Sequence, residues 1–186
     1  MARARPRAFA VAAVTAMVAV AALAAGDDFA FMPPGGRSIL EDILNRSTDA
    51  NLPEIAARRA SRDEWAGWAD ALGLGLNPRA VETFAGYAEL NFPLDDAALS
   101  ALATSADPAT LPADGKDLAI AQCQFCHSLF SGYLMQDRDQ TGWESTFKSP
   151  FHSEIPMTAS ERAAFVDYSV LNMPLKFEDV PPELRF

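Results

Sequence analysis

Apolar residues return every three or four positions in short blocks along this chain, and each block is bounded by proline, glycine, asparagine or aspartate. That period marks one face of a helix, whereas a half-buried strand would alternate every second residue. The blocks predict helices near 37–46, 53–60, 62–72, 78–91, 95–104, 115–125, 141–148 and 159–171. Two of the starts carry clear signals. Asn77-Pro78 is an N-cap followed by proline at the first helical position, where no amide hydrogen is needed. Thr158 with Glu161 reads as a capping box, in which each side chain satisfies the other's backbone N–H. Both of these helices run into Asn-x-Pro-Leu and stop, because proline cannot continue the hydrogen-bond ladder. Convincing alternating strands are absent, and the 13 prolines fall mainly between the helical blocks and after the last one. The pattern predicts an all-α fold.

The pattern also repeats. Leu76–Leu94 and Met157–Leu175 align without gaps at a shift of 81 residues, with identities at Phe84/Phe165, Tyr87/Tyr168, Leu90/Leu171, Asn91/Asn172, Pro93/Pro174 and Leu94/Leu175. Ordinary composition gives about one identity in such a stretch. A tryptophan precedes each copy: Trp65 or Trp68 in the first, Trp143 in the second. Duplication explains the match, and convergence of short amphipathic helices is the rival. Thr104–Gly115, rich in proline, alanine and aspartate, reads as a linker. The expected division is therefore a leader over 1–25, a helical unit over 26–104, a linker over 105–114 and a second helical unit over 115–186. Carried upstream, the same shift sets Asp42, Asn45 and Arg46 opposite Cys123, Cys126 and His127. The first unit has the scaffold of the second without its chemistry.

That chemistry sits in Cys123-Gln124-Phe125-Cys126-His127, which uses both cysteines of the chain. Cys-x-x-Cys-His is the attachment signal of c-type haem. Two thiols at this spacing reach the two vinyl groups of one haem, and the following histidine falls under the iron as an axial ligand. Three other readings use the same residues. Thiol–disulfide exchange would need a lowered thiol pKa. Zinc could take Cys123, Cys126, His127 and His152 on paper, although adjacent ligands suit a tetrahedron poorly. A structural disulfide is the third.

Residues 1–25 read as a secretory signal: Arg3, Arg5 and Arg7, an uncharged run from Ala8 to Ala25, and a small-x-small cleavage site at Ala22-Leu23-Ala24. An uncleaved anchor is the alternative, at the lower length limit for a span. Covalent haem attachment takes place on exported chains, so both features point to the periplasm of a bacterium. The full chain carries 15 basic and 25 acidic residues. Loss of the leader removes three arginines and leaves the mature protein near −13, about 161 residues long and with no further run that suggests a membrane span. Such a charge disfavours nucleic acid and anionic membranes and favours a redox partner with a basic docking surface.

With these residues in view, the second unit resembles the class I c-type cytochromes over roughly 114–172. The matching features are a helix leading into Cys123-x-x-Cys126-His127, the Gly142-Trp143 helix, and a last helix that opens at Thr158-x-x-Glu161 and carries Phe165 and Tyr168. The resemblance implies two small helical cytochrome c-like units, of which only the C-terminal one binds haem: one covalent haem c, anchored on Cys123 and Cys126, with His127 as the proximal iron ligand. It also implies that the last helix packs across the helix that leads into the motif. The family's distal methionine has no clean counterpart. Pro150 and Phe151 occupy the region where it is expected, and His152 follows two positions later in a proline-bounded loop. His152 is therefore the first candidate for the distal ligand, with Met157 and Met173 as rivals. A histidine there gives a lower potential than a methionine, whose thioether favours the reduced ion. Met157 stands where an apolar residue staples a helix start, and Met135 follows the motif too closely to cross the iron. Phe125, Phe130, Phe147, Phe151, Phe165 and Tyr168 are candidates for a water-excluding crevice wall, and Arg138 or Lys148 for a propionate partner.

The resemblance implies a monohaem electron carrier, either a soluble shuttle or the cytochrome subunit of an oxidoreductase complex, rather than an enzyme in itself. The alternative is a haem gas sensor or peroxidase-like protein with an open or labile sixth coordination site, in which His152 would act as a distal-pocket group.

Overall fold

The computed structural model describes residues 28–105 and 107–186; the leader over 1–25 lies outside them. Among the described residues nine α-helices follow in order: α1 Gly36–Arg46, α2 Leu52–Ala57, α3 Arg62–Ala71, α4 Pro78–Asn91, α5 Asp96–Ser105, α6 Gly115–Gln122, α7 Gln140–Thr146, α8 Pro150–Ser153 and α9 Ala159–Asn172. A π turn spans Phe130–Leu134, and 3-10 turns lie at Pro108–Thr110, Phe177–Asp179 and Pro182–Leu184. The fold is all-α, with no strand among the described residues. Nor is any helix among them long and apolar enough to cross a membrane.

The expected start signals operate. The Asn77 side chain accepts from the Ala80 N–H at 2.9 Å, and Thr158 and Glu161 close a full capping box. Ser61 with Glu64 and Asp114 with Asp117 form two more. Two predicted helices end three residues early: α2 stops at Ala57, and α6 stops at Gln122, so Cys123 is its C-cap and the rest of the motif is turn.

The two long helices α4 and α9 pack on each other at the centre; α1 and α3 lean on α4, while α6 and α7 lean on α9. Equivalent side chains make equivalent contacts on each side. Trp65 meets Phe84 edge-on at 5.9 Å and 82°, and Trp143 meets Phe165 at 5.8 Å and 84°. Arg58 lies over Trp65 at 4.7 Å and Arg138 over Trp143 at 5.4 Å. Gly36 rests against the Cβ of Tyr87 and Gly115 against the Cβ of Tyr168, and a Cβ on either glycine would overlap the tyrosine. Glycine is needed at these crossings for closeness of approach. Gly36 and Gly115 also set the register. They stand 79 residues apart, so Leu44, Ser47 and Thr48 lie opposite Cys123, Cys126 and His127, not Asp42, Asn45 and Arg46 as the ungapped shift implies.

Each side is completed by chain that precedes the other. Met32, ahead of α1, is buried in the core of the α6–α9 side, and Tyr168 donates to the Pro33 carbonyl at 2.7 Å. Leu111, from the stretch read as a linker, is buried in the α1–α5 core, and Tyr87 donates to the Pro112 carbonyl at 2.9 Å. Asp114, only 1% exposed, accepts the N–H groups of Arg37 and Asp117 at 3.0 Å each and so caps the start of α1 as well as α6. Arg62 on α3 pairs with Asp167 on α9, over the space that Gly86 leaves empty. The two sides are interlocked, and this places the crevice of the second side between α6, α7, α8 and α9.

Candidate functional site

Helix α6 delivers Cys123 at its C-cap, with the Cys123 N–H on the Ala119 carbonyl at 2.9 Å. The chain then turns through Cys126 and His127, both exposed. Neither cysteine is in a disulfide. Burial pushes the Cys123 thiol up to about 12. Exchange chemistry needs a thiolate near neutral pH, so this environment is the wrong one for it.

The motif forms one wall of a cavity of about 330 Å³. Cys123, Cys126 and His127 line it together with His152, Phe151, Tyr133, Trp143, Phe147 and Phe165. Helix α8, absent from the sequence expectation, presents His152. Its single turn starts at Ser149-Pro150 and ends before Pro156. The two imidazole rings stand 6.1 Å apart, centroid to centroid, at 83°. Two imidazoles on opposite sides of one metal ion need about 6 Å, from two bonds of about 2 Å and about 1 Å from nitrogen to ring centre on each side.

The seat of His127 is local. The π turn Phe130–Leu134 brings Gly132 flat against the ring, where any Cβ would overlap Nδ1 and Cε1. Its Nδ1 lies 3.2 Å from the Ser128 carbonyl, which can only accept. The proton therefore belongs on Nδ1, and the Nε2 lone pair is left for a metal.

Trp143, also in the lining, is 2% exposed and its Nε1–H has no partner among the described residues. Arg138 lines the cavity beside it, held by Gln136 at 3.0 Å and Thr146 at 2.9 Å. The same buried, unpartnered N–H beneath a guanidinium recurs at Trp65 with Arg58 in the first half, so it belongs to the repeated scaffold and does not by itself mark a ligand. The residue types a covalently held haem needs, two thiols, two imidazoles and aromatic walls, thus line one cavity.

The other candidates lie elsewhere. Met157 and Met173 are each 7% exposed, packed in the second core and outside the cavity lining. Lys148 is exposed and also outside it. Among the described residues no group of three or more His, Cys, Asp and Glu is placed to hold a metal ion, so the four-ligand zinc set does not assemble.

In the first half, the place of Thr146, three residues after Trp143, is taken by Trp68, three after Trp65. Trp68 packs edge-on against Trp65 at 5.7 Å and lies 5.6 Å from Phe84. Its counterpart by spacing, Thr146, lines the cavity of the second half. The sequence named Trp68 only as one of two tryptophans ahead of the first copy, and nothing in it pointed to Gly132.

No family model, curated protein or solved structure matches this chain.

Proposed function

We propose that this chain is a monohaem c-type cytochrome of the periplasm that carries single electrons, as a soluble carrier or as the cytochrome subunit of an oxidoreductase complex. The observation that carries the reading is the facing pair His127 and His152 across a cavity rimmed by Cys123 and Cys126. A haem held there supplies a one-electron iron couple. Cys123 and Cys126 would anchor it, His127 and His152 would be its iron ligands, and Arg138 would offer a positive charge to a propionate. Tyr133, Phe147 and Phe165 keep water from the crevice, which lowers the local dielectric and tunes the potential. Once the haem is attached, electron transfer needs no residue of the site to make or break a bond.

The first half, with Trp68 in place of a crevice, serves as the haem-free copy and as a docking or spacing module. The acidic mature chain calls for a partner with a basic docking surface. The single-turn helix that carries His152 favours one second reading, a labile sixth position as in a gas sensor or a peroxidase-like protein.

The test is the absorption spectrum of the exported, reduced protein before and after carbon monoxide, together with haem retention in acid acetone. Retained haem and an unchanged spectrum support electron transfer. A prompt carbon monoxide adduct supports the second reading, and a colourless protein overturns both.

A further inference from the structure

The turn that bears His152 is pinned from the outside. Arg162 on α9 donates to the Ser153 and Ile155 carbonyls at 2.9 and 3.2 Å while its guanidinium lies 5.0 Å over the Phe147 ring. Within the turn, the Ser153 N–H reaches the Ser149 carbonyl at 2.9 Å. With the backbone held, the remaining freedom of His152 is rotation and tautomerism of its ring.

Ser149 controls both. A serine at an N-cap ordinarily turns its hydroxyl onto the N–H of the second or third helical residue. Ser149 is the N-cap of α8 and makes no such bond. Its Oγ instead lies 3.1 Å from Nδ1 of His152 and donates to the Thr146 carbonyl at 3.2 Å. A serine hydroxyl has one hydrogen to give. With that hydrogen on the Thr146 carbonyl, Oγ faces His152 as an acceptor, so Nδ1 carries the ring proton and Nε2 keeps its lone pair. The last turn of α7 thus sets the chemical state of a ring on α8.

We infer that Ser149 is the positioning residue of His152, holding its imidazole in the Nδ1–H tautomer so that Nε2 faces the crevice as the distal ligand. The inference rests on the electron-carrier reading of the site. A hydrogen bond from the back nitrogen of a ligating histidine fixes the ring and raises its basicity, and its loss weakens metal affinity by about 10- to 100-fold.

Ser149→Thr and Ser149→Val make a matched pair, because they differ by one hydroxyl at nearly equal volume. Holoprotein of both is compared with wild type by ferric electron paramagnetic resonance and by the rate of carbon monoxide binding to the ferrous form. The expected result is a low-spin wild type that resists carbon monoxide, a Thr variant like it, and a Val variant that binds carbon monoxide at least about tenfold faster. Ser149→Ala, which removes the hydroxyl with less crowding, must follow Val. If Val and Ala both behave as wild type while wild type is six-coordinate with two histidines, the inference falls and the functional reading stands. If wild type itself is high-spin and binds carbon monoxide at once, reading and inference fall together.

Discussion

The imidazole of His127 faces that of His152 at 6.1 Å, centroid to centroid, with the ring planes at 83°. The two residues come from unlike settings. One follows the end of α6 in an exposed turn, and the other sits on a four-residue helix bounded by prolines. Neither setting forces them together. Their meeting depends on α6 and α7 both packing on α9.

The proposed function makes His152 the distal ligand, and its exchange tests that. His152→Met replaces an imidazole with a thioether, which favours ferrous iron, so the reduction potential of the holoprotein rises. Equilibrium redox titration checks the sign, and an unchanged potential would remove His152 from the iron.

On the proximal side, Gly132 is the seat of the ring. Gly132→Ala places a methyl where Nδ1 and Cε1 of His127 now lie, so the ring must tilt or the π turn must open. The expected outcome is a lower yield of haem-loaded protein and a partly high-spin ferric spectrum, read by absorbance per unit protein and by paramagnetic resonance.

The helix crossings give a test of the scaffold that needs no haem. Gly36→Ala and Gly115→Ala each force a Cβ into a tyrosine Cβ, and overpacking of this kind costs about 1–3 kcal/mol. Gly67, in α3, has nothing within 4 Å of such a Cβ, so Gly67→Ala stabilises by up to about 1 kcal/mol through helix propensity. Chemical denaturation of the three variants gives the ordering.

In the first half, Trp68→Thr restores the residue type found beside Trp143. It withdraws a ring that packs on Trp65 and Phe84, at a cost of about 3 kcal/mol, and leaves the haem spectrum unchanged. A shifted spectrum would show that the two halves share more than a packed interface.

The capping boxes set an acid limit. Hydrogen bonds from the backbone and then the hydroxyl of Thr158 hold the Glu161 carboxyl below its ordinary 4.5, and Ser61 does the same for Glu64. A carboxyl with a lowered folded pKa stabilises the fold above its unfolded value, and that contribution is lost as pH falls through the folded value. Melting temperature against pH therefore declines below 4.5, and Glu161→Gln flattens part of the decline.

Most helix positions, the capping signals, the all-α class and the Cys123-x-x-Cys126-His127 spacing were legible in the chain, because periodicity, caps and short motifs are local properties of a few consecutive residues. The repeated Phe, Tyr and Asn-x-Pro-Leu positions were legible for the same reason. Tertiary structure decided what depends on which surfaces meet. It moved the register between the halves by two residues through the glycines under Tyr87 and Tyr168. It sent Met32 and Leu111 into each other's half. It placed His152 in the crevice and left Met157 and Met173 in the core, a choice that spacing alone could not make, since all three precede or follow the same helix α9. Sequence distance measures chain length, whereas a ligand is chosen by direction in space, and direction was set by the packing of α6, α7 and α8 around α9.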